Sequence, residues 1–272
     1  MRMKVSIITP CFNSSATLRD TIESIARQDY PEIEYIIIDG GSTDHTLDII
    51  KAYPDVVDHW VSEADRSLYD AMNKGIHLAS GDIIAIINSD DFYVHSAVIS
   101  RVVQQFKRNR VDSVYGDIQY VAPQNTQRVI RNWISGKYQR RNFLYGWMPP
   151  HPAFFVKKKV YDALGFFDTR LQTSADYELM LRFLYKHRVS SHYLPELLVR
   201  MRAGGVSNRS WLKRFEANLE DRKAWKMNGL RPYFFTAVMK PIRKIKQFFT
   251  PYHTPQEPQR SKPQQKLKKT KL

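Results

Sequence analysis

The stretch IIAIINSDD, residues 83–91, places two adjacent carboxylates directly after a run of aliphatic residues. The aliphatic run predicts a short buried strand, Ile83–Ile87. Adjacent carboxylates repel each other and add little to packing, so their position needs an explanation. A divalent cation that bridges to a diphosphate would explain Asp90 and Asp91, because Mg²⁺ and Mn²⁺ prefer oxygen ligands. An exposed turn or a helix N-cap, where Asp is also favoured, would explain them as well.

The sequence around this stretch alternates between short apolar runs, which predict strands, and segments with helical spacing, which predict helices. The predicted strands are Lys4–Thr9, Tyr35–Ile38 and His59–Ser62, and the predicted helices are Thr17–Gln28, Thr43–Ala52, Leu68–Ala79 and Ser96–Lys107. This alternation predicts an α/β fold with a central, mainly parallel sheet flanked by helices. Ligands of such sheets bind beyond the carboxyl ends of the strands, where Asp90 and Asp91 lie.

A second polar cluster, DGGSTD at residues 39–44, follows another predicted strand. Its glycines permit a positive φ or a close approach of the backbone. Two interpretations remain open: Asp39 accepts a hydrogen bond from a base or ribose, or the segment is a capped turn. Neither a GxGxxG fingerprint nor a Walker lysine pattern is present, which disfavours a Rossmann oxidoreductase and a P-loop ATPase.

The second half of the chain is less regular. Its predicted strands are Ser113–Val121, Ala153–Val156, Ser191–Leu194 and Leu197–Met201, its predicted helices are Tyr177–Tyr185 and Trp211–Trp225, and residues 122–150 predict a loop region. Asp176 lies at the start of an apolar helix, so it is either a general base or an ordinary N-cap. The single cysteine, Cys11, excludes an internal disulfide and a Cys-rich zinc site.

Composition and charge restrict the class of protein. Of 272 residues, 43% are hydrophobic, which is enough for a sizeable core. The formal charge is +15, and ten basic residues but one acidic residue lie between Lys240 and Leu272. Residues 251–272 predict a disordered basic tail. Residues 235–249 predict a basic amphipathic helix that lies on an anionic membrane or docks on the core.

Several of these segments, in this order, resemble the inverting family 2 glycosyltransferases with a GT-A fold, in particular bacterial enzymes of exopolysaccharide, capsule and O-antigen assembly. The segments are VSIITPCFN at 5–13, IIIDGGSTDHT at 36–46, SEADRSLYDAMNKGI at 62–76, SGDIIAIINSDD at 80–91, HPAFF at 151–155 and SADYELMLR at 174–182. Ser67 stands where the family often has Gly, and Ala175 precedes Asp176 where the family often has a second acid. The resemblance therefore leaves the donor sugar open.

The resemblance implies roles for individual residues. Asp176 would be the catalytic base that takes the proton of an acceptor hydroxyl, and Asp91 would bind Mg²⁺ or Mn²⁺. The nucleotide-binding residues would be Thr9, Pro10, Asn13, Asp39, Asp65, Asn73, Lys74 and Asp90. Of these, Asp65, Asn73 and Lys74 would contact the nucleotide or position its site, and Asp90 would contact the ribose or support the metal site. Residues 204–207 would order over the donor. Attack of the acceptor from the face opposite the diphosphate would invert the anomeric configuration.

The resemblance also implies partners and a location. The donor would be a UDP- or GDP-linked sugar, and the acceptor a glycan or a polyprenyl-diphosphate-linked sugar. The charge of +9 between Lys240 and Leu272 adds a hypothesis: the acceptor would lie on the inner face of the cytoplasmic membrane, and residues 235–271 would hold the cytoplasmic enzyme there as a peripheral protein. The aromatic side chains of Trp133, Tyr138, Tyr145 and Trp147 would form an acceptor surface or, alternatively, fill a satellite core beneath a loop.

The predicted organisation is a GT-A domain at residues 1–208, C-terminal helices at 209–250 and the tail at 251–272. No apolar run approaches the roughly 20 residues needed to span a bilayer, and no signal peptide is recognisable. The alternative to an enzyme is a basic nucleic-acid- or membrane-binding protein without catalysis. For the enzyme, no nucleic-acid partner is expected.

Overall fold

The computed structural model describes residues 2–204 and 211–252, apart from the side chains of residues 211–216 and of several positions in the last helix. The predicted disordered tail and the loop expected to order over the donor fall largely outside the described residues. Both therefore stay predictions.

Strands and helices alternate through the first 121 residues. Their bounds are β1 Val5–Cys11, α1 Leu18–Ala26, β2 Ile33–Asp39, α2 Thr46–Lys51, β3 His59–Ser62, α3 Leu68–Leu78, β4 Ile83–Ile86, β5 Asp91–Tyr93, α4 Val98–Asn109 and β6 Ser113–Val121. The bounds that follow are β7 Val129–Trp133, a 3₁₀ helix Arg140–Tyr145, a 3₁₀ turn His151–Ala153, β8 Phe154–Lys157, α5 Lys158–Leu164, α6 Ala175–Met180 with a π-helical continuation Leu181–Lys186, β9 Ser191–Arg202, α7 Trp211–Met227 and α8 Thr236–Phe249.

Nine strands form one sheet in the described part of the chain, in the order β3-β2-β1-β4-β8-β6-β9-β5, with β7 paired to β6. Strands β1 to β4 are parallel to one another, and Cys11 pairs with Asp39, which pairs with Ser62. Their carboxyl ends therefore meet at one edge of the sheet. The predicted α/β fold, with its central sheet flanked by helices, is confirmed.

The second half of the sheet is mixed. Strand β8 is antiparallel to β4 and to β6, whereas β9 is parallel to β6. The prediction of one loop region over residues 122–150 is wrong, because β7 lies in it and pairs with β6. Val129–Trp133 lies at the edge of the sheet and contains polar residues, so it lacks the apolar run by which the other strands were predicted. The prediction of two strands around Pro195 is also wrong, since β9 is continuous and absorbs the proline at register shifts against β6.

Two hydrophobic clusters lie on the two sides of the sheet. One contains residues of α3, α6 and α7, and the other contains residues of α1, α2 and α4. Trp225 of α7 is 1% exposed and belongs to the first cluster, so α7 is part of the core rather than an appendage. Among the described helices, none has the length and apolar character needed to cross a bilayer.

Helix α8 docks on the core at both of its ends. The Thr236 hydroxyl donates to the carbonyl of Leu144 (2.7 Å), and the Asn132 amide donates to the carbonyl of Thr250 (2.9 Å). The docked helix nevertheless keeps an apolar outer face. Phe249 is 82% exposed on this face, where its apolar ring is in contact with water.

Candidate active site

Asp39, at the end of β2, organises the turn that follows the strand. Its side chain is fully buried and accepts hydrogen bonds from the Gly41 and Ser42 amides (3.2 and 3.0 Å) and from the hydroxyls of Ser42 and Ser62 (2.6 Å for Ser62). Burial opposes the charge of Asp39, but these hydrogen bonds outweigh it and lower the pKa. A base that binds here would have to replace one of the two hydroxyls.

The loop after β1 is tied to this turn. Asn13 has a left-handed backbone (φ 48°), and its side-chain oxygen accepts from the Thr43 amide (2.9 Å) while its own amide donates to the Ser42 hydroxyl (2.8 Å). Thr9 and Pro10 lie inside β1, where the Thr9 hydroxyl accepts from Tyr35 (3.1 Å). Asn13 is thus bound to the turn after Asp39, and Thr9 and Pro10 precede Cys11, the residue that pairs with Asp39 in the sheet.

Asp65 and Lys74 form an ion pair next to Gly40, in the turn after Asp39. The Lys74 ammonium lies 2.6 Å from an oxygen of Asp65 and 2.7 Å from one of Glu63. Both carboxylates raise the pKa of Lys74 to about 12. A Cβ on Gly40 would come within 3.3 Å of the Asp65 carboxylate, so a larger residue here would require Asp65 to shift by a few tenths of an ångström.

Asn73 is hydrogen-bonded to the segment between α5 and α6. Its amide donates to the Phe167 carbonyl (2.9 Å), and its oxygen accepts from the Phe167 amide (3.0 Å). Through these two hydrogen bonds, Asn73 fixes the position of the segment before α6. Of the two roles implied by the resemblance, nucleotide contact and positioning, this geometry favours positioning.

Asp90 and Asp91 follow β4 at the carboxyl edge of the sheet. Asp91 is fully buried, and its Oδ2 accepts from the Asn88 amide (3.0 Å). Within the described residues, Asp91 Oδ1 and Asn88 Oδ1 are buried and have no hydrogen-bond partner. Asp90 is half-buried, and Arg202 donates to its carbonyl (2.7 Å). Asp90 is therefore the carboxylate that opens toward a ligand, with Asp91 behind it.

The electrostatics of this pair fit a bound cation. Burial raises the pKa of Asp90, and burial together with the Asp90 charge raises the pKa of Asp91 well above its usual range. A divalent cation would relieve both effects and supply the orphaned oxygens with a partner. In the described residues no cluster of three His, Cys, Asp or Glu side chains forms a closed metal site. An ion held by one or two carboxylates and substrate phosphates needs no such cluster.

Asp176 lies in the first turn of α6 and is half-buried. The Tyr69 hydroxyl is 3.4 Å from Asp176 Oδ1, and the Tyr177 amide donates to the same oxygen (2.8 Å). Burial and the Asp176 charge raise the pKa of Tyr69, so the phenol stays protonated and donates. Burial lowers the pKa of His151, which keeps the nearby imidazole neutral.

Residues that the sequence did not single out hold the segment around Asp176 in place. Glu220 of α7 accepts hydrogen bonds from the backbone of residues 172–174, just before α6. The Trp225 indole donates to the Tyr177 hydroxyl (2.8 Å). Glu220 is far from Asp176 in sequence, and no local motif connects the two.

Most of the predicted acceptor aromatics belong to the core. Trp147 is 4% exposed and packs edge-on against Phe143 and Tyr115, and Tyr138 packs against Phe143. The satellite-core alternative therefore describes both. Tyr145 is 42% exposed and contacts Phe235 at the start of α8.

Comparison with known proteins assigns the chain to a family. Residues 6–165 match the model of the family described as glycosyl transferase family 2. The chain belongs to glycosyl transferase family 2. The match spans more than half of the chain and includes the turns at Asp39 and Asp90. This family 2 glycosyltransferase is thereby an enzyme rather than a basic binding protein without catalysis.

Two relatives from mycobacteria carry glycosyltransferase names. A PGL/p-HBAD biosynthesis glycosyltransferase of Mycobacterium bovis is 28% identical over 218 residues, which cover 77% of this chain and 82% of the relative. An uncharacterized glycosyltransferase of Mycobacterium tuberculosis is 32% identical over 184 residues, 65% of this chain and 68% of the relative.

Solved structures at lower identity share the fold. S. aureus TarS 1-349 in complex with UDP-GlcNAc has a TM-score of 0.66 at 17% identity and covers 87% of this chain and 69% of that one. The mannosyltransferase PcManGT from Pyrobaculum calidifontis, with GDP-Man and Mn²⁺, has a TM-score of 0.62 at 19% identity, covering 88% and 68%. Against the longer S. aureus TarS structure the chain spans 39% of that protein's length. The GT-A fold is confirmed.

Proposed function

We propose that this family 2 enzyme transfers a sugar from a nucleotide-diphospho-sugar to a hydroxyl acceptor with inversion at the anomeric carbon. The observation that carries the proposal is the Asp90–Asp91 pair, whose buried and unpartnered oxygen lies at the carboxyl edge of the parallel strands. A buried carboxylate oxygen without a partner is costly unless a cation binds it.

The donor nucleotide would bind at the Asp39 turn, beside the Asp65–Lys74 pair. Asp39 would accept from the base in exchange for a serine hydroxyl, and Asn13 would hold the loop that covers it. The backbone of Thr9 and Pro10 would form the floor. Structures of the same fold bind UDP-GlcNAc and GDP-Man, which supports a UDP- or GDP-linked donor.

Asp90 and Asp91 would hold Mg²⁺ or Mn²⁺, which supplies charge neutralisation for the leaving diphosphate. Because Asp90 is the more exposed of the two, it would approach the ribose and the ion directly, and Asp91 would hold the ion from behind. Arg202 fixes the Asp90 backbone and thereby the direction of this pair.

Asp176 would take the proton of the acceptor hydroxyl. The phenol of Tyr69 and the amide of Tyr177 orient its carboxylate, so that Oδ2 is left for the substrate proton. A single displacement from the face opposite the diphosphate inverts the sugar. Positioning and charge compensation would supply most of the rate enhancement.

The acceptor would be a glycan or a lipid-linked sugar of a cell-surface polysaccharide, and the enzyme would bind the inner face of the membrane. The support is the charge of +9 between Lys240 and Leu272 together with the apolar outer face of α8. Sedimentation with phosphatidylglycerol vesicles tests this part. We expect Phe248→Ser/Phe249→Ser to weaken binding about tenfold or more, since burying each phenylalanine contributes about 1.5–3 kcal/mol, and the control Leu78→Ser on α3 to bind as wild type.

Release of UDP or GDP from UDP-GlcNAc, UDP-glucose and GDP-mannose, with water as the acceptor, tests the transferase itself. We expect one donor to be turned over and Asp176→Asn to lower the rate about 100-fold or more while it keeps nucleotide affinity. Asp48→Asn, an exposed control on α2, should have wild-type activity. Equal rates for Asp176→Asn and wild type would contradict the assignment of the base.

A further inference from the structure

His151 is a half-buried histidine whose position is fixed by its backbone rather than by hydrogen bonds of its ring. It begins the 3₁₀ turn His151–Ala153 and lies between Pro150 and Pro152, each of which restricts the backbone. Within the described residues the imidazole makes no hydrogen bond, and neither ring nitrogen is enclosed by protein. Both nitrogens are therefore accessible to a ligand.

The pairing of β8 with β4 places His151 at the carboxyl edge of the sheet. The two strands are antiparallel, with Val156 opposite Ile84. The residues before Val156 therefore run toward the carboxyl end of β4, and the turn that contains His151 contacts that strand. Asp90 and Asp91 follow the same end of β4. His151 thus lies on the side of the sheet at which the ion and the diphosphate would bind.

A row of aromatic rings joins His151 to the proposed base. The imidazole packs edge-on against Phe167, with 5.8 Å between the ring centroids. The Phe167 ring stacks on Tyr69 (5.6 Å), whose hydroxyl is 3.4 Å from Asp176 Oδ1. His151 is therefore separated by one phenylalanine ring from the tyrosine that orients the base.

The neutral form of the imidazole suits a sugar hydroxyl. Burial lowers the pKa of His151, and the charge of Asp176 opposes this effect. A neutral imidazole donates through one nitrogen and accepts through the other, and a hydroxyl group also does both. A cationic side chain in this position would attract the Asp176 carboxylate and make it a weaker base. The uncharged ring can bind a hydroxyl without this effect.

We propose that His151 hydrogen-bonds a hydroxyl of the sugar that is transferred and thereby helps to select the donor. The proposal rests on the proposed transferase function and adds a residue that contacts the sugar rather than the nucleotide. The sugar must lie between its diphosphate, at Asp90 and Asp91, and Asp176, because the acceptor attacks from the face opposite the leaving group. His151 is bounded on one side by the end of β4 and on the other by the ring contacts that lead to Asp176. The two flanking prolines hold the ring in place before the sugar binds, which favours affinity.

Calorimetry with bare nucleotides and nucleotide-sugars, on the full chain with Mn²⁺, tests the proposal. The probes are UDP with UDP-GlcNAc and UDP-glucose, and GDP with GDP-mannose. For the nucleotide-sugar that wild type binds most tightly, we expect His151→Phe to weaken binding about tenfold, because a sugar hydroxyl loses its partner, and to leave the bare nucleotide unchanged. His151→Asn, which keeps a donor and an acceptor, should recover part of the affinity. The control His192→Phe removes another half-buried histidine, at the start of β9, and should bind both ligands as wild type does.

Donors that each lack one sugar hydroxyl separate a direct contact from a structural effect. One such deoxy donor should bind wild type about tenfold more weakly than its parent, and His151→Phe should bind the two alike, because both changes remove the same hydrogen bond. If every deoxy donor loses as much affinity in His151→Phe as in wild type, the contact is overturned and the transferase function stands. The same holds if His151→Phe binds the nucleotide-sugar as wild type does, or weakens it by the same factor as the bare nucleotide. Absence of UDP and GDP binding by wild type would overturn the proposed function and, with it, the contact.

Discussion

Loss of Glu220 should disturb Asp176, the proposed base, although no hydrogen bond joins the two side chains. The Glu220 carboxylate accepts four hydrogen bonds from the segment before α6: from the amides of Gln172 (2.9 Å), Thr173 (2.8 Å) and Ser174 (3.0 Å) and from the Thr173 hydroxyl (2.8 Å). Burial opposes its charge, but these donors lower the pKa of Glu220. Glu220 therefore fixes the start of the helix that carries Asp176.

The magnitude follows from the number of donors left without a partner in Glu220→Ala. A hydrogen bond to a charged group contributes about 1.5–3 kcal/mol, but four bonds to one partly exposed carboxylate are not additive, so we expect a loss of about 3 kcal/mol. At about 2–4 °C per kcal/mol, Tm should fall by roughly 6–12 °C. A shift of Asp176 by about 1 Å would lower turnover up to about 100-fold.

Thermal unfolding and nucleotide release, measured on the same variants, check this. Glu220→Gln keeps one acceptor oxygen and should lose about half as much stability. Glu32→Ala is the control: its carboxylate has one ion pair with Arg2 (3.3 Å) at the surface and should change Tm little. A Glu220→Ala enzyme with wild-type turnover would refute the positioning of Asp176 by α7, whatever its Tm.

Three further outcomes follow from contacts elsewhere in the structure. Tyr69→Phe removes the hydroxyl beside Asp176, so steady-state kinetics should show a several-fold lower kcat at unchanged donor KM; a raised KM with normal kcat would contradict this. Gly75→Ala would place a Cβ 2.3 Å from Ile8 Cγ2. Overpacking of this kind should lower the urea midpoint of unfolding by an amount equivalent to about 1–3 kcal/mol. An unchanged midpoint would contradict this and would mean that Ile8 moves aside at no cost in stability. Hydrogen bonds outweigh the burial of Glu34 and lower its pKa from 4.5 to about 2, so its contribution to stability is present above pH 4.5 and is lost as the pH falls toward 2. In Glu34→Gln, the free energy of unfolding should therefore fall less steeply between pH 4.5 and 2 than in wild type. An equally steep fall would contradict this role of Glu34.

The first half of the fold was predictable because its signals are local. Runs such as Ile36–Ile38 are buried on both sides, and the parallel strands they form must end at a common edge. Asp39 and Asp90 therefore reach the same edge of the sheet whatever their detailed roles.

What escaped prediction depends on contacts distant in sequence. Asp91 is fully buried and Asp90 half-buried, a difference set by β5 pairing with β9, more than 100 residues away. Trp147 belongs to the core because it packs against Phe143 of the 3₁₀ helix Arg140–Tyr145, and the sequence around Trp147 does not show this contact. Arg131 looks like a surface arginine in the sequence but is 9% exposed, because β7 pairs with β6.

Nucleotide binding at the carboxyl edge of the sheet can be tested by thermal shift with UDP and GDP, with and without Mn²⁺, on wild type, Asp90→Asn and Asp91→Asn. A nucleotide at 100 times its Kd should add roughly 2.7 kcal/mol of stability. We predict that one nucleotide stabilises the wild type in a Mn²⁺-dependent manner and that both substitutions abolish the dependence on Mn²⁺. Stabilisation of equal size in wild type and both variants, or no response to either nucleotide, would contradict a nucleotide-sugar site at Asp90 and Asp91.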